Sequence, residues 1–447
     1  MTRAHRSSAP SRRALLAGGL ATAALPGMAS RLFAADADVL IVGAGAAGLG
    51  AAHELTRLGI SFHMVEARDR IGGRAFTDTS LGAGFDAGAE IVHFADRNPW
   101  VGIARDLGVS LEGSGWRIGG WQVHANGQPL GMIERGRRWQ AFREMEARME
   151  RVAASGRDMS LADAVADLPP ESREIARSGL LLVLGEDGER ISVLDNQSLW
   201  SGPDLTTTSG YGALVEAYGK ALPVSLSTPV SAINWGSGGI EAVTPRGTIT
   251  ARAAIVTVPV GVLKADGIRF TPDLPSSHRA ALDGIGMGAL TKIALRIDGE
   301  RFGLSDSSTL MEATRPEAMT MIELFPNGKP LAVAICGGDV ARDLGKAGEA
   351  AAVSHVTDLL AGMLGASVRG AVKAGRLASW WHDPLARGSY SVCRPGRSAA
   401  RAALAEPVAA RLWFAGEATG GGGAMTVGGA TLSAWQAARA CAASLRA

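Results

Sequence analysis

Gly43-Ala44-Gly45-Ala46-Ala47-Gly48 stands between an apolar strand, 38–42, and a stretch with apolar residues at helical spacing, 49–58. Glycine at the first, third and sixth places suits a pyrophosphate. Gly43 permits a tight turn, Gly45 lets the backbone approach phosphate oxygens, and Gly48 lets the helix pack against the strand. The helix N-terminus adds unpaired N–H groups and partial positive charge. A second strand, 61–65, ends at Glu66, 23 residues after Gly43, where a carboxylate accepts hydrogen bonds from ribose hydroxyls and repels a 2′-phosphate. In this strand–turn–helix–strand–acid order the glycines specify a dinucleotide site.

Other residues offer chemistry of their own. Lys292 sits in the β-patterned apolar stretch 286–295, where a buried ammonium demands a partner. His93, at the end of Asp86-Ala87-Gly88-Ala89-Glu90-Ile91-Val92-His93, supplies an imidazole, a group suited to taking up and giving back a proton. Trp380, Trp381 and Tyr390 make an aromatic cluster, and Glu417 follows Phe414-Ala415-Gly416. Cys336, Cys393 and Cys441 are odd in number and widely spaced, which suits neither a disulfide framework nor a zinc site. They read as buried small hydrophobes, and no metal is expected.

The elements that must position these groups follow from pattern. Residues 95–205 carry helical periodicity, and an apolar helix is expected at 213–222. Strands are expected at 228–233, 240–243, 248–250, 253–259, 291–297 and 331–335, with helices at 349–364 and from about Gly428 to Leu445. The length of 447 residues suits two or three domains, and no internal repeat is present.

From the ribose acid the chain runs on as Glu66-Ala67-Arg68-Asp69-Arg70-Ile71-Gly72-Gly73-Arg74, a second loop built for phosphate approach. From here the chain resembles the flavin-containing amine oxidase superfamily, which includes monoamine, polyamine and L-amino-acid oxidases. The resemblance runs in order along nearly all of the chain after residue 37 and is strongest at 38–94, 210–235, 253–297 and 380–436. It implies an α/β fold, a Rossmann-type FAD-binding domain (38–92, 206–264 and 385–447) with an interleaved α+β substrate domain (93–205 and 265–384). It implies FAD contacts at Gly43, Gly45, Ala47, Gly48, Glu66, Ala67, Arg68, Gly73 and Arg74. Further contacts are implied at Gly88, Ala89, Glu90, Val230, Trp381, Gly416, Glu417, Thr426 and Val427. Ser389 stands where cysteine-linked relatives attach the flavin, so the cofactor is expected to be non-covalent.

The resemblance also assigns catalytic roles. Lys292 matches the lysine that reaches flavin N5 through a water molecule, His93 faces the substrate, and Tyr390 is one wall of a cage aligning the amine. Ile91 replaces the carboxylate-binding arginine of L-amino-acid oxidases, which disfavours amino-acid substrates. The second cage wall falls at Thr426, preceded by four glycines, 420–423, so a half-open cage with a mobile rim and a larger substrate are expected. The final helix is expected to aim its dipole at the flavin pyrimidine. The implied reaction is oxidation of a primary or secondary amine by hydride transfer to the flavin, imine hydrolysis, and reoxidation by O2 to hydrogen peroxide. A dehydrogenase or desaturase of the same fold with another acceptor stays open, as does a non-catalytic binding protein.

The address of the chain is read from its first residues. Ser11-Arg12-Arg13, a mildly apolar run and a small-residue site near Ala29 resemble a twin-arginine signal peptide, with residues 1–37 as signal and linker. Export already folded through the twin-arginine translocase, to the periplasm or beyond, suits a protein that acquires FAD in the cytoplasm. Removal of Arg3, Arg6, Arg12 and Arg13 takes the formal charge from +2 to −2, which leaves no footprint for nucleic acid. After the signal no apolar run reaches the roughly 20 residues that span a bilayer. A homodimer is compatible with this reading.

Overall fold

The apolar run Val39-Leu40-Ile41-Val42 has no polar alternation, which suits a strand covered on both faces. In the computed structural model, which describes residues 36–113 and 121–447, it lies in β1 (Ala37–Val42). The twin-arginine segment, 11–29, lies outside the described residues. From β1 the chain turns into α1 (Ala46–Arg57) and returns as β2 (Phe62–Val65), parallel to β1. On the other side β1 pairs in parallel with β3 (Gly247–Val256). The eight-stranded sheet runs Arg269–Thr271, Ala232–Gly236, Gly239–Thr244, β3, β1, β2, Val224–Ser225, and Leu412–Phe414 pairs in parallel with the end of β3. Its register puts Val42 beside Val65 and Val256, and Val256 beside Phe414. Four parallel strands therefore end at one level, the edge where open α/β sheets bind ligands. The expected strands 248–250 and 253–259 are one element, β3.

A second, seven-stranded sheet is centred on β4 (Leu290–Ile297), β5 (Thr320–Leu324), β6 (Leu331–Gly337) and β7 (Val372–Ser379). The spatial order is β7, β4, β6, β5, then Ser308–Glu312 and a hairpin of Gln122–Ala125 with Gln128–Pro129. One face carries Ile293, Leu295, Ile322 and Ala334 and packs on Val356 and Leu360 of a helix, Glu349–Leu364. By alternation the other face carries Lys292 and Ala294, with Ile335, Val333, Met321 and Glu323 in register beside them. That face packs on Leu81, Phe85 and Ala87 from the first half of the chain.

The last helix, Val427–Arg446, lies along α1 through small residues. A Cβ at Gly50 would stand 3.2 Å from Thr431 Cγ2, so the two helices meet nearly backbone to backbone. Both sheets belong to a single compact unit. No helix among the described residues is long and apolar enough to cross a membrane. Cys336, Cys393 and Cys441 are free and buried, and burial pushes each thiol up to about 12.

Candidate active site

The cradle at the sheet edge is built by glycines and one carboxylate. Gly43 takes φ +104, and a Cβ on Gly48 would stand 1.9 Å from the Gly43 carbonyl oxygen, so only glycine closes this turn. Gly45 precedes α1 with no side-chain cap and no acid in the first turn, which leaves those N–H groups and their charge for a phosphate. Glu66 is fixed by backbone donors: Ala44 N–H donates to it at 2.7 Å and Arg68 N–H at 2.8 Å. The second glycine loop touches the first, with Gly45 bridging to Gly72 and a Gly73 Cβ only 3.3 Å from Gly45 Cα. Arg70 holds that loop by donating to the carbonyls of Ile71 and Gly73 while lying 4.0 Å over the Phe76 ring. Val230 is buried just beyond Thr228, whose N–H donates to the Glu66 carbonyl at 2.8 Å. Ala47 is buried in the first turn of α1, and Ala67 joins Glu66 to Arg68.

The loop 86–90 carries the next layer. A Cβ on Gly88 would fall 1.7 Å from the Arg74 carbonyl oxygen, and Ala89 N–H donates to that same oxygen at 3.2 Å. Trp380 closes over this loop, its Nε1 donating to the Ala87 carbonyl at 2.9 Å. Trp381 turns elsewhere, half-buried with the Arg342 guanidinium 4.4 Å over its ring. The structure thus brings Trp380 to the loop.

Lys292 projects from β4 into the same layer and is 5% exposed. Its ammonium donates to Glu90 Oε2 at 2.6 Å and to the Asp86 carbonyl at 2.9 Å. Glu90 therefore serves as the partner that burial of the lysine demanded. Asp86 is anchored in turn: its carboxylate accepts from Thr77 Oγ1 and from Tyr211 and Gly212 N–H, at the start of the helix Tyr211–Gly219. Burial raises the Asp86 pKa above the ordinary carboxylate range. On the same sheet face, burial and the nearby Glu90 push Glu323 up to about 7. Sequence reasoning missed Glu323, although an acid inside the apolar strand Met321-Ile322-Glu323-Leu324 was a legible signal.

His93 and Tyr390 hydrogen-bond to partners of their own. His93 Nδ1 lies 3.0 Å from Asp204 Oδ1, in a pair whose side chains are 44% and 40% exposed. Tyr390 is half-buried and donates its hydroxyl to the Val183 carbonyl at 2.5 Å. Thr426 caps the last helix: its hydroxyl accepts from Gly429 N–H at 3.0 Å and donates to the Gly423 carbonyl at 2.8 Å. Val427 begins that helix. Ser389 is spent on β4, exchanging hydrogen bonds with the Leu290 N–H and carbonyl at 2.8 Å each.

A buried chain of charges ties the cradle to the rest of the molecule. Arg74 donates to Glu417 Oε1 at 3.1 Å and to the Ser389 carbonyl at 2.9 Å. Glu417, just after Gly416, accepts the Ser391 hydroxyl at 2.6 Å on its other oxygen. Arg401 donates to Ser391 Oγ at 2.6 Å and forms a two-pronged pair with Asp195 at 2.7 and 2.9 Å. Neither Asp195 nor Arg401 was singled out from sequence, because their meeting spans 206 positions.

A glycine-lined phosphate cradle with a ribose acid, abutting a buried lysine and two further acids, defines a dinucleotide-dependent oxidoreductase. Residues 143–442 match the family model for flavin containing amine oxidoreductase, and 41–107 match an NAD(P)-binding Rossmann-like domain. Probable polyamine oxidase 4 of Arabidopsis thaliana is 28% identical over 353 residues, 71% of this chain and 70% of that protein. Lysine-specific histone demethylase 1 homolog 2 of Oryza sativa subsp. japonica is 30% identical in an alignment of 433 positions that covers 89% of this chain and 56% of that protein. Among solved structures, a cofactor-binding redesign of putrescine oxidase superposes with TM-score 0.76 at 21% identity, over 91% of this chain and 99% of that one. Cyclohexylamine oxidase from Brevibacterium oxydans gives TM-score 0.75 at 21% identity, over 92% of this chain and all (100%) of that one. The chain belongs to the flavin-containing amine oxidoreductase family.

It is an FAD-dependent amine oxidoreductase, and the cradle fits that cofactor: an uncapped helix N-terminus for phosphate, a fixed carboxylate for ribose, and a Gly88 loop packed so closely on the Arg74 carbonyl that a Cβ would displace it. Gly88→Ala is expected to purify largely without flavin, read from the ratio of visible to protein absorbance. An alanine variant as yellow as the wild type contradicts that close approach.

Proposed function

We propose that this protein oxidises an amine carrying a second nitrogen, with O2 as the electron acceptor and water completing hydrolysis of the imine. The observation that carries this reading is the sheet face on which Lys292 and Glu323 stand, with Glu90 of the 86–90 loop set against it. Bound FAD supplies the two-electron acceptor for the C–H bond beside nitrogen. The protein's groups do the rest. Two of the three ammonium N–H bonds of Lys292 are committed, to Glu90 and Asp86, which leaves one for a water held against the reacting carbon. A cation there favours negative charge developing on oxygen as peroxide forms. The amine must shed a proton before it can donate electrons. Asp204 orients His93 through Nδ1, which leaves Nε2 to accept that proton at the entrance. Glu323 then offers a carboxylate to the distal ammonium. Folded export by the twin-arginine route, suggested by Arg12 and Arg13, is part of the same proposal.

Under air, a linear diamine is expected to yield hydrogen peroxide in one-to-one ratio with aldehyde. Amine turnover that consumes no oxygen and needs an added electron acceptor would overturn the choice of O2.

Glu323 gives this reading a pH signature. With its pKa pushed up to about 7 it is neutral below that pH and anionic above, so preference for a diamine over a monoamine should rise through about pH 7. Glu323→Gln is expected to flatten that ratio of kcat/KM values. The sign for stability is opposite. The folded state keeps a proton that the unfolded chain has lost, so wild type forfeits stability as pH rises from 4.5 through about 7. The glutamine variant should accordingly melt higher than wild type at pH 8 and equally below pH ~4. A ratio that keeps its pH dependence in the variant removes Glu323 from recognition.

A further inference from the structure

The four glycines 420–423 do not leave a gap. Trp200, reached from a separate part of the chain, fills it. A Cβ built on Gly422 would lie 2.2 Å from Trp200 Nε1, 2.5 Å from Cδ1 and 2.6 Å from Cε2, which places it over the indole face. Gly422 has no side chain because the indole occupies its place. Trp200 N–H donates to the Gly422 carbonyl at 2.7 Å, and the Phe94 ring meets the indole edge-on at 5.4 Å and 83°. The Arg97 guanidinium lies 5.5 Å over the same indole. Phe94 is held at φ 43, a conformation that costs a bulky residue energy and persists only where its surroundings impose it. The segment after Trp200 is zipped to the His93 strand by Ala95 N–H to the Pro203 carbonyl at 2.8 Å and by a reciprocal pair between Val92 and Leu205. Trp200 is nonetheless 39% exposed, and the ring packed on it, Phe94, directly follows His93.

We infer that Trp200 is the specificity-determining wall of the amine entrance, narrowing it to unbranched chains in place of side chains that the glycine turn lacks. This rests on the amine-oxidation reading and adds the shape of the amine. Trp200 is a positioning residue: it touches the rim, and its removal widens the mouth without altering Lys292 or the FAD cradle.

The test compares kcat/KM for cyclohexylamine with that for putrescine in wild type and in Trp200→Ala. The ratio is expected to rise about tenfold or more, within the range one pocket contact contributes to discrimination. The flavin spectrum and kcat for putrescine should stay close to wild type. Gly422→Phe in the Trp200→Ala background returns an aromatic ring to the same space from the opposite element, since φ there is not in the left-handed range, and is expected to restore the wild-type ratio. A simple packing role for Trp200 predicts lower stability with an unchanged ratio. A protein reduced by amines whose ratio stays within about twofold in the alanine variant overturns this proposal alone. A wild type that no amine reduces overturns the amine reading, and this proposal with it.

Discussion

Lys292→Met is expected to give a protein that keeps its yellow colour while amine-dependent oxygen uptake falls by about 10²-fold, the usual loss when one preorganised charged donor is removed. The cofactor should stay because none of the cradle contacts, from Gly43 to Arg74, involves Lys292. Oxygen uptake should fall because the ammonium is the cation that β4 delivers to the 86–90 loop, fixed by Glu90 and the Asp86 carbonyl. Methionine matches the stem of lysine and removes the charge, but leaves Glu90 without its partner. Glu90→Gln is the matching control. It keeps the ammonium and a hydrogen-bond acceptor, so its loss should be smaller than that of the methionine variant. An oxygen electrode with saturating diamine measures both, and equal rates in wild type and Lys292→Met would remove Lys292 from the chemistry.

The second large effect is expected on stability. Arg401→Met leaves Asp195 ionised and buried with no counter-charge, and breaking one side of such a pair costs about 3–5 kcal/mol. The two side chains are 5% and 4% exposed, so water cannot replace the lost bonds. The damage should reach the cofactor. Arg401 also orients Ser391, whose hydroxyl holds Glu417, and Glu417 holds Arg74 against the cradle. Denaturant unfolding followed by fluorescence, with flavin retention on gel filtration, measures both consequences. Replacing the pair together, with Arg401→Met and Asp195→Leu, is expected to recover part of the lost stability, because no unpaired charge remains. A single variant as stable as wild type contradicts the buried network.

How far these features were legible from sequence depended on how local their cause was. The turn from β1 into α1 was legible because Gly43, Gly45 and Gly48 act within six residues, and the helix Glu349–Leu364 falls where periodicity put it. The strand expected at 228–233 begins only at Ala232. Pro229 has no N–H to donate, and the Thr228 N–H is spent on the Glu66 carbonyl. The hairpin of Gln122–Ala125 and Gln128–Pro129 went unread inside a region of helical periodicity. Asn126 and Gly127, with φ 51 and 72, are the turn pair that marks it.

At the site, residue types were readable and partners were not. Lys292 advertised a need for a counter-charge, but Glu90 lies 202 positions away. Trp380 and Trp381 are sequence neighbours that point to different surroundings, which no pattern distinguishes. The rim expected to be open at 420–423 is filled by Trp200, and only the fold brings the two together.

Anaerobic mixing of the purified protein with a linear diamine, followed in the visible spectrum, tests amine oxidation by this cradle most directly. Loss of the flavin bands on adding amine, with their return when air is admitted, is the expected result. A protein that stays yellow with every amine offered, or one that is colourless and cannot take up FAD, would contradict it.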